Sequence, residues 1–121
     1  LFAAQSHRRS QTDSAGQTVE AAKEYIRQHY AESDLSVEKL CAYLHLSSTY
    51  FSTLFKRETG TSFTAYVTTV RMEAAAEAIR GTEEKTYLIA QRCGYEDPNY
   101  FSYVFKRHFG VTPTKYRSEG K

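Results

Sequence analysis

The chain has 121 residues, 40% of them hydrophobic and 14% aromatic, with a net charge of +2. That length favours one domain or two small lobes, and a charge so near zero does not by itself announce a nucleic-acid partner. Two cysteines without CxxC spacing and four scattered histidines speak against a disulfide scaffold, a metal site or a cofactor, and no apolar run approaches the ~20 residues of a membrane span.

Residues 1–17 are rich in Ser, Gln, Thr and Arg, which reads as a linker or the tail of an upstream domain, with Arg8 and Arg9 solvated. Met72 is the only methionine, so the expectation is a piece of a longer chain or a processed one. A first helix is expected from Thr18 as N-cap, with Val19, Ala22, Ile26 and Tyr30 on one face. Ser36 then caps a short helix that turns Val37, Leu40, Cys41 and Leu44 inward, and residues 45–47 make a turn.

A third helix spans residues 48–59 and ends at Gly60. Ser62 caps a long fourth helix over residues 63–80, with Tyr66, Val67, Val70, Ala75, Ala78 and Ile79 inward and Gly81 closing it. The cycle restarts with a short helix over residues 86–93 and a turn at residues 94–96. Asp97-Pro98 opens a sixth helix that ends at Gly110, and Thr112-Pro113 opens a short last one, each as a cap followed by Pro at N1. The fold class is all-α: two helix-turn-helix subdomains joined by a long central helix, about seven helices in all. Residues 18–80 form the first lobe with its linking helix, and residues 81–121 the second.

Within this order lies a repeat. Tyr50-Phe51-Ser52, Phe55-Lys56-Arg57 and Gly60 return fifty residues later as Tyr100-Phe101-Ser102, Phe105-Lys106-Arg107 and Gly110, seven identities in eleven positions. Tyr66 and Tyr116 extend the match. Phe51, Leu54 and Phe55 form the buried face of the third helix, which leaves Thr49, Ser52, Thr53 and Lys56 as one polar stripe. The sixth helix repeats the arrangement with Asn99, Ser102, Tyr103 and Lys106 opposite Phe101, Val104, Phe105 and Phe109. Core positions are copied, whereas the stripes differ at Thr49/Asn99 and Thr53/Tyr103.

Two unlike polar ridges on one scaffold suit a periodic partner, and double-stranded DNA is the obvious one. Asn99 can pair bidentately with adenine, Ser52, Thr53 and Ser102 can reach base edges or phosphates, and a threonine methyl can meet a thymine methyl. Tyr103 can pack on a sugar or a base methyl while its hydroxyl reaches a phosphate. Lys56, Arg57, Lys106 and Arg107 suit phosphate, which gives affinity and salt dependence rather than sequence choice. The plain alternative for each residue is a solvated helix whose lysines favour its C-terminal dipole. Duplication of the whole set is what lifts the DNA reading above it.

The stretch Cys93-Gly94-Tyr95-Glu96-Asp97-Pro98-Asn99-Tyr100-Phe101-Ser102, continued by Phe105-Lys106-Arg107, Gly110-Val111-Thr112-Pro113 and Tyr116-Arg117, resembles the signature of the AraC/XylS family of bacterial transcription regulators. Phe55 to Gly60, Ser62-Phe63, Tyr66 and Arg71 match its first half. The resemblance covers roughly residues 19–117. It implies seven helices in two helix-turn-helix lobes, with the third and sixth helices entering the major groove. By position it implies base or backbone contacts at Ser48, Thr49, Ser52, Thr53 and Lys56, and at Pro98, Asn99, Ser102, Tyr103 and Lys106. It further implies double-stranded DNA and RNA polymerase as partners, an upstream signal-sensing domain, a cytoplasmic location and no enzymatic activity. Departures are Tyr103 where the family often has Arg, which removes a guanine contact, and Cys93 in place of a small aliphatic. The order of Thr86 and Leu88 is also exchanged, which leaves Leu88 exposed.

A linking helix of about eighteen residues is roughly 27 Å long, against about 34 Å between successive major-groove faces. Both readers on one side of the duplex therefore imply bent DNA or one reader only partly inserted. Two other classes compete: a helical protein-interaction module that has lost DNA binding, and an enzyme such as a DNA alkyl-transfer protein. The enzyme would need a reactive, exposed cysteine, and Cys41 and Cys93 fall at core positions.

Overall fold

Small polar residues punctuate this chain, and the backbone responds at each of them. In a computed structural model that describes residues 2–119, with side chains from residue 14 onward, the order is α1 (Phe2–His29), α2 (Val37–Leu44), α3 (Ser48–Thr59), α4 (Phe63–Gly81), α5 (Thr86–Arg92), α6 (Pro98–Phe109) and α7 (Pro113–Glu119). There is no strand among the described residues. Side-chain oxygens of Ser36, Ser47, Ser62, Asp97 and Thr112 accept from backbone N–H groups two or three residues on, at 2.9–3.2 Å. Each satisfies a donor that an isolated helix start leaves unpaired. Gly60 and Gly110 end α3 and α6 in the left-handed region, at φ 80° and 84°.

Two compact units result. The first comprises Leu1–Gln28 with Ser36–Tyr66, and the second His29–Leu35 with Val67–Lys121. In the first, Val19, Ala22, Ile26, Leu40, Cys41, Phe51, Leu54, Phe55 and Phe63 are buried. In the second, one cluster gathers Met72, Ala75, Ala76, Ile79, Ile89, Ala90, Cys93, Tyr95, Phe101 and Phe105. Most of α4 thus belongs with the second unit rather than with the first lobe, because Met72, Ala75, Ala76 and Ile79 fill its core. The end of α4 does for α5 and α6 what α1 does for α2 and α3.

The repeat is copied in ring geometry as well as in letters. Phe51 and Phe55 have centroids 5.4 Å apart, and Phe101 and Phe105 5.9 Å. Phe55 meets Tyr66 edge-on at 5.4 Å and 86°, and Phe105 meets Tyr116 at 5.3 Å and 82°. Such edge-to-face pairs each add about 0.5–1.5 kcal/mol beyond the area they bury.

Several sequence expectations need correction. Thr18 does not cap a helix: it lies inside α1, its hydroxyl donating to the Ser14 carbonyl one turn back at 3.0 Å. The backbone over residues 2–17 is helical and continuous with the rest of α1, while Leu1 and the side chains of Arg8 and Arg9 lie outside the described set. Val37, Leu44, Tyr66, Val70 and Ala78 are half-buried rather than core, whereas Met72 and Ala76 are core residues that periodicity passed over. Gly81 is the last residue of α4 and has no positive φ.

Candidate nucleic-acid interface

In the first unit, α3 is seated by Phe51, Leu54 and Phe55, all at most 2% exposed. Phe63 closes over the two rings at 6.1 and 6.5 Å. With that face committed, Thr49, Ser52, Thr53, Lys56 and Arg57 stand exposed and Ser48 half-exposed. The turn before the helix is fixed by His45 in the left-handed region, φ 61°, whose N–H donates to the Cys41 carbonyl. Arg57 carries a local counter-charge, since its Nε lies 3.2 Å from the Glu58 carboxylate.

In the second unit, Phe101 and Phe105 are fully buried, and Pro98, Asn99, Tyr103, Lys106 and Arg107 stand exposed with Ser102 half-exposed. Asp97 receives the Asn99 backbone N–H at 2.9 Å, and no hydrogen bond occupies the Asn99 side-chain amide among the described residues. The α6 sequence holds no acidic residue, and its last turn ends Lys106-Arg107-His108. Arg107 Nη1 donates to the Tyr103 hydroxyl at 3.3 Å. The Tyr103 ring stacks on Tyr100, centroids 6.2 Å apart and planes 27° from parallel.

Behind α6, Gly94 makes the turn at φ 93°, where an added Cβ would lie 2.6 Å from the Tyr30 carbonyl oxygen. Arg71 fills the remaining space. Its Nε donates to the Tyr30 carbonyl at 2.9 Å and its Nη2 to the Glu32 carbonyl at 2.8 Å, with the guanidinium 5.4 Å from the Tyr95 ring centre. Arg117 repeats the device at the end of α4, donating to the carbonyls of Ile79 and Glu84 at 2.9 and 2.8 Å. Both arginines thus tie two backbone carbonyls at or just beyond a helix end to one guanidinium.

Every residue expected on the polar stripes is thus at the surface of its own unit; of the expected core, Phe51, Leu54, Phe55, Phe101 and Phe105 are buried, whereas Val104 and Phe109 are half-buried. Tyr100 was legible as an identity in the repeat and a member of the signature stretch, but not as part of the polar stripe. Its exposure of 56%, and its i, i+3 relation to Tyr103, mark it as part of the same surface. Leu88 is exposed, as the exchanged order of α5 implied. Both thiols are buried and free, and burial pushes each up from the ordinary thiol value, the opposite of what a nucleophile needs. No group of three or more metal-ligating side chains occurs among the described residues, and no described helix is long and apolar enough to cross a membrane.

The chain matches a family model described as a helix-turn-helix domain over residues 40–119. It is 35% identical over 101 residues to the regulatory protein PocR of Salmonella typhimurium, covering 84% of this chain and 33% of PocR. The C-terminal domain of AraT, a response regulator from Geobacillus stearothermophilus, superposes with a TM-score of 0.83 at 41% identity, covering 84% of both chains. The DNA-binding domain of AdpA, a global transcriptional factor solved with a target DNA, superposes at 0.78 with 25% identity, over 84% of this chain and 90% of that one. The chain spans a third of the length of PocR, so it corresponds to one part of such a protein. With the two-fold helix-turn-helix scaffold, the signature in α5–α6 and the family match in agreement, the chain belongs to the AraC/XylS family of transcription regulators.

Proposed function

We propose that this chain binds double-stranded DNA sequence-specifically, with α3 and α6 as recognition helices in adjacent major-groove segments. It acts as the output domain of a bacterial transcription regulator. The observation that carries the reading is the duplication itself: matching ring geometry in two units, under exposed stripes whose chemistry differs. A scaffold kept constant beneath two different polar faces is what reading two different base steps requires. The solved AdpA complex with DNA supports it from outside the chain.

Ser48, Thr49, Ser52 and Thr53 are the proposed base-side contacts of α3, and Pro98, Asn99, Ser102 and Tyr103 those of α6. Lys56, Arg57, Lys106 and Arg107 are the proposed phosphate contacts. Residues 1–17 join this part to an upstream sensing domain, and α1 gives that connection a helical backbone. RNA polymerase is the proposed second partner, with the exposed Tyr87 and Leu88 of α5 as its candidate contact. The protein works in the cytoplasm without catalytic chemistry of its own.

Selection of bound duplexes from a random pool tests the reading. Two half-motifs about one helical turn apart are expected. Failure to bind any duplex at low salt, where even non-specific contacts register, would leave the fold serving as a protein-interaction module instead.

A further inference from the structure

The second reader carries an aromatic arrangement that the first lacks, and it concerns what Tyr103 presents to the duplex. Tyr103 is 58% exposed, yet it is held from two sides: the Tyr100 ring stacks against it, and Arg107, one turn on, donates to its hydroxyl. Tyr100 is in turn backed by the buried Tyr95, centroids 6.0 Å apart. Beside the pair lies an open groove of about 330 Å³, lined also by Thr68, Val104 and His108. The groove gives the Tyr103 ring somewhere to retreat, so the stack and the Arg107 bond decide where it stands.

We propose that Tyr100 and Arg107 are positioning residues that hold the Tyr103 ring as an apolar reading surface for the 5-methyl group of a thymine in the major groove. The inference rests on the DNA-binding reading above; it selects the base methyl among the contacts open to Tyr103 and adds one residue, Tyr100, to the interface. Tyr103 lies mid-helix, one turn beyond Asn99 on the same stripe and short of the cationic last turn. That is where a side chain meets base edges rather than the flanking phosphates. With its hydroxyl facing Arg107, the ring is what remains to face a base, and the contact suited to a ring is the thymine methyl.

The test uses the duplex that the chain selects from a random pool, with each thymine replaced in turn by deoxyuridine, which removes the methyl and nothing else. One thymine should show a roughly three- to fivefold loss of affinity, the worth of burying one methyl group. Tyr103→Ala should abolish that ratio. Tyr100→Ala and Arg107→Met should reduce it by more than half, and Tyr100→Phe, which keeps the stack, should preserve it. The ratio isolates positioning, because a lost phosphate contact weakens thymine and uracil duplexes alike. Circular dichroism of each variant establishes that it is folded. Absence of any uracil-sensitive position, or a ratio unchanged in Tyr103→Ala, overturns the inference while leaving DNA binding intact. Failure of the wild-type chain to select any duplex overturns both.

Discussion

The two units share their interior and differ in how they close and what they show. Beneath α3 and α6 the same ring pairs recur, with centroid distances of 5.4 and 5.9 Å for one pair and 5.4 and 5.3 Å for the other. Around them the solutions diverge. The first unit turns from α2 to α3 through His45 at φ 61°, whereas the second turns from α5 to α6 through Gly94 at φ 93°. The first ends its reader with Thr59, whose hydroxyl donates to the Phe55 carbonyl at 2.7 Å. The second places Phe109 there, 4.6 Å from Phe105. Packing of large rings tolerates little change, so it holds the helix in place while turn chemistry and surface residues are free to drift.

The turns offer the sharpest way to break this comparison. Gly94→Ala should lower stability by about 3 kcal/mol or more, combining left-handed strain with a clash against the Tyr30 carbonyl and the Arg71 side chain. His45→Gly, at the other turn, relieves strain but loosens the unfolded chain, and should change stability by less than about 1 kcal/mol. Gly110→Ala meets no atom within 4 Å and should cost only the backbone strain, about 1–2 kcal/mol. Urea denaturation of the three variants ranks them, and a Gly94→Ala protein as stable as Gly110→Ala would remove the close approach from the account.

Next in size are the two arginine clamps. Loss of two charged hydrogen bonds to part-buried or exposed carbonyls costs about 1–3 kcal/mol, so Arg71→Ala and Arg117→Ala should both be destabilised. Arg71→Ala should be the worse, since it also loses the Tyr95 ring. Arg71→Lys should not rescue it, because an ammonium cannot reach both carbonyls as a fork does. Thermal melts decide it, and full rescue by Lys would mean that charge alone matters there.

How much of this was legible in the sequence follows from which forces are local. Helix bounds came through because Ser36, Ser62, Asp97 and Thr112 act on the backbone two or three residues away. The polar stripes came through because Phe51, Leu54 and Phe55, repeated fifty residues on, fix by period which side faces out. The Arg71 clamp did not, since its partners Tyr30 and Glu32 lie about forty residues away and are backbone atoms with no side-chain signature. Thr18 misled as a cap because serine and threonine look alike inside a helix and at its start, and what differs is where the hydroxyl bonds. The ring of Tyr103 was legible, but the partners that fix its direction were not.

The stripes themselves are compared by binding. Asn99→Ala should weaken binding to the selected duplex by about 1–3 kcal/mol and relax choice at one base pair. Thr49→Ala, at the matching place in α3, removes at most one single-bond contact and should cost less than about 1 kcal/mol. Titrations on selected and scrambled duplexes test both. Equal losses on the two duplexes would remove Asn99 from base reading and leave the two stripes alike.

The smallest expected difference separates two residues that the repeat makes identical. Arg57 has Glu58 beside it, and Arg107 has a neutral phenol and His108. An exposed neighbouring pair is worth little to stability, but a carboxylate at the edge of a phosphate contact opposes the DNA charge directly. Arg107→Ala should therefore reduce the slope of log affinity against log salt by about 1 on random duplex, and Arg57→Ala by less. Glu58→Gln should raise random-duplex affinity by about twofold at low salt and bring the effect of Arg57→Ala up to that of Arg107→Ala. If both arginines change the slope equally while Glu58 is intact, the carboxylate is turned away from the phosphates and the two last turns are equivalent in charge.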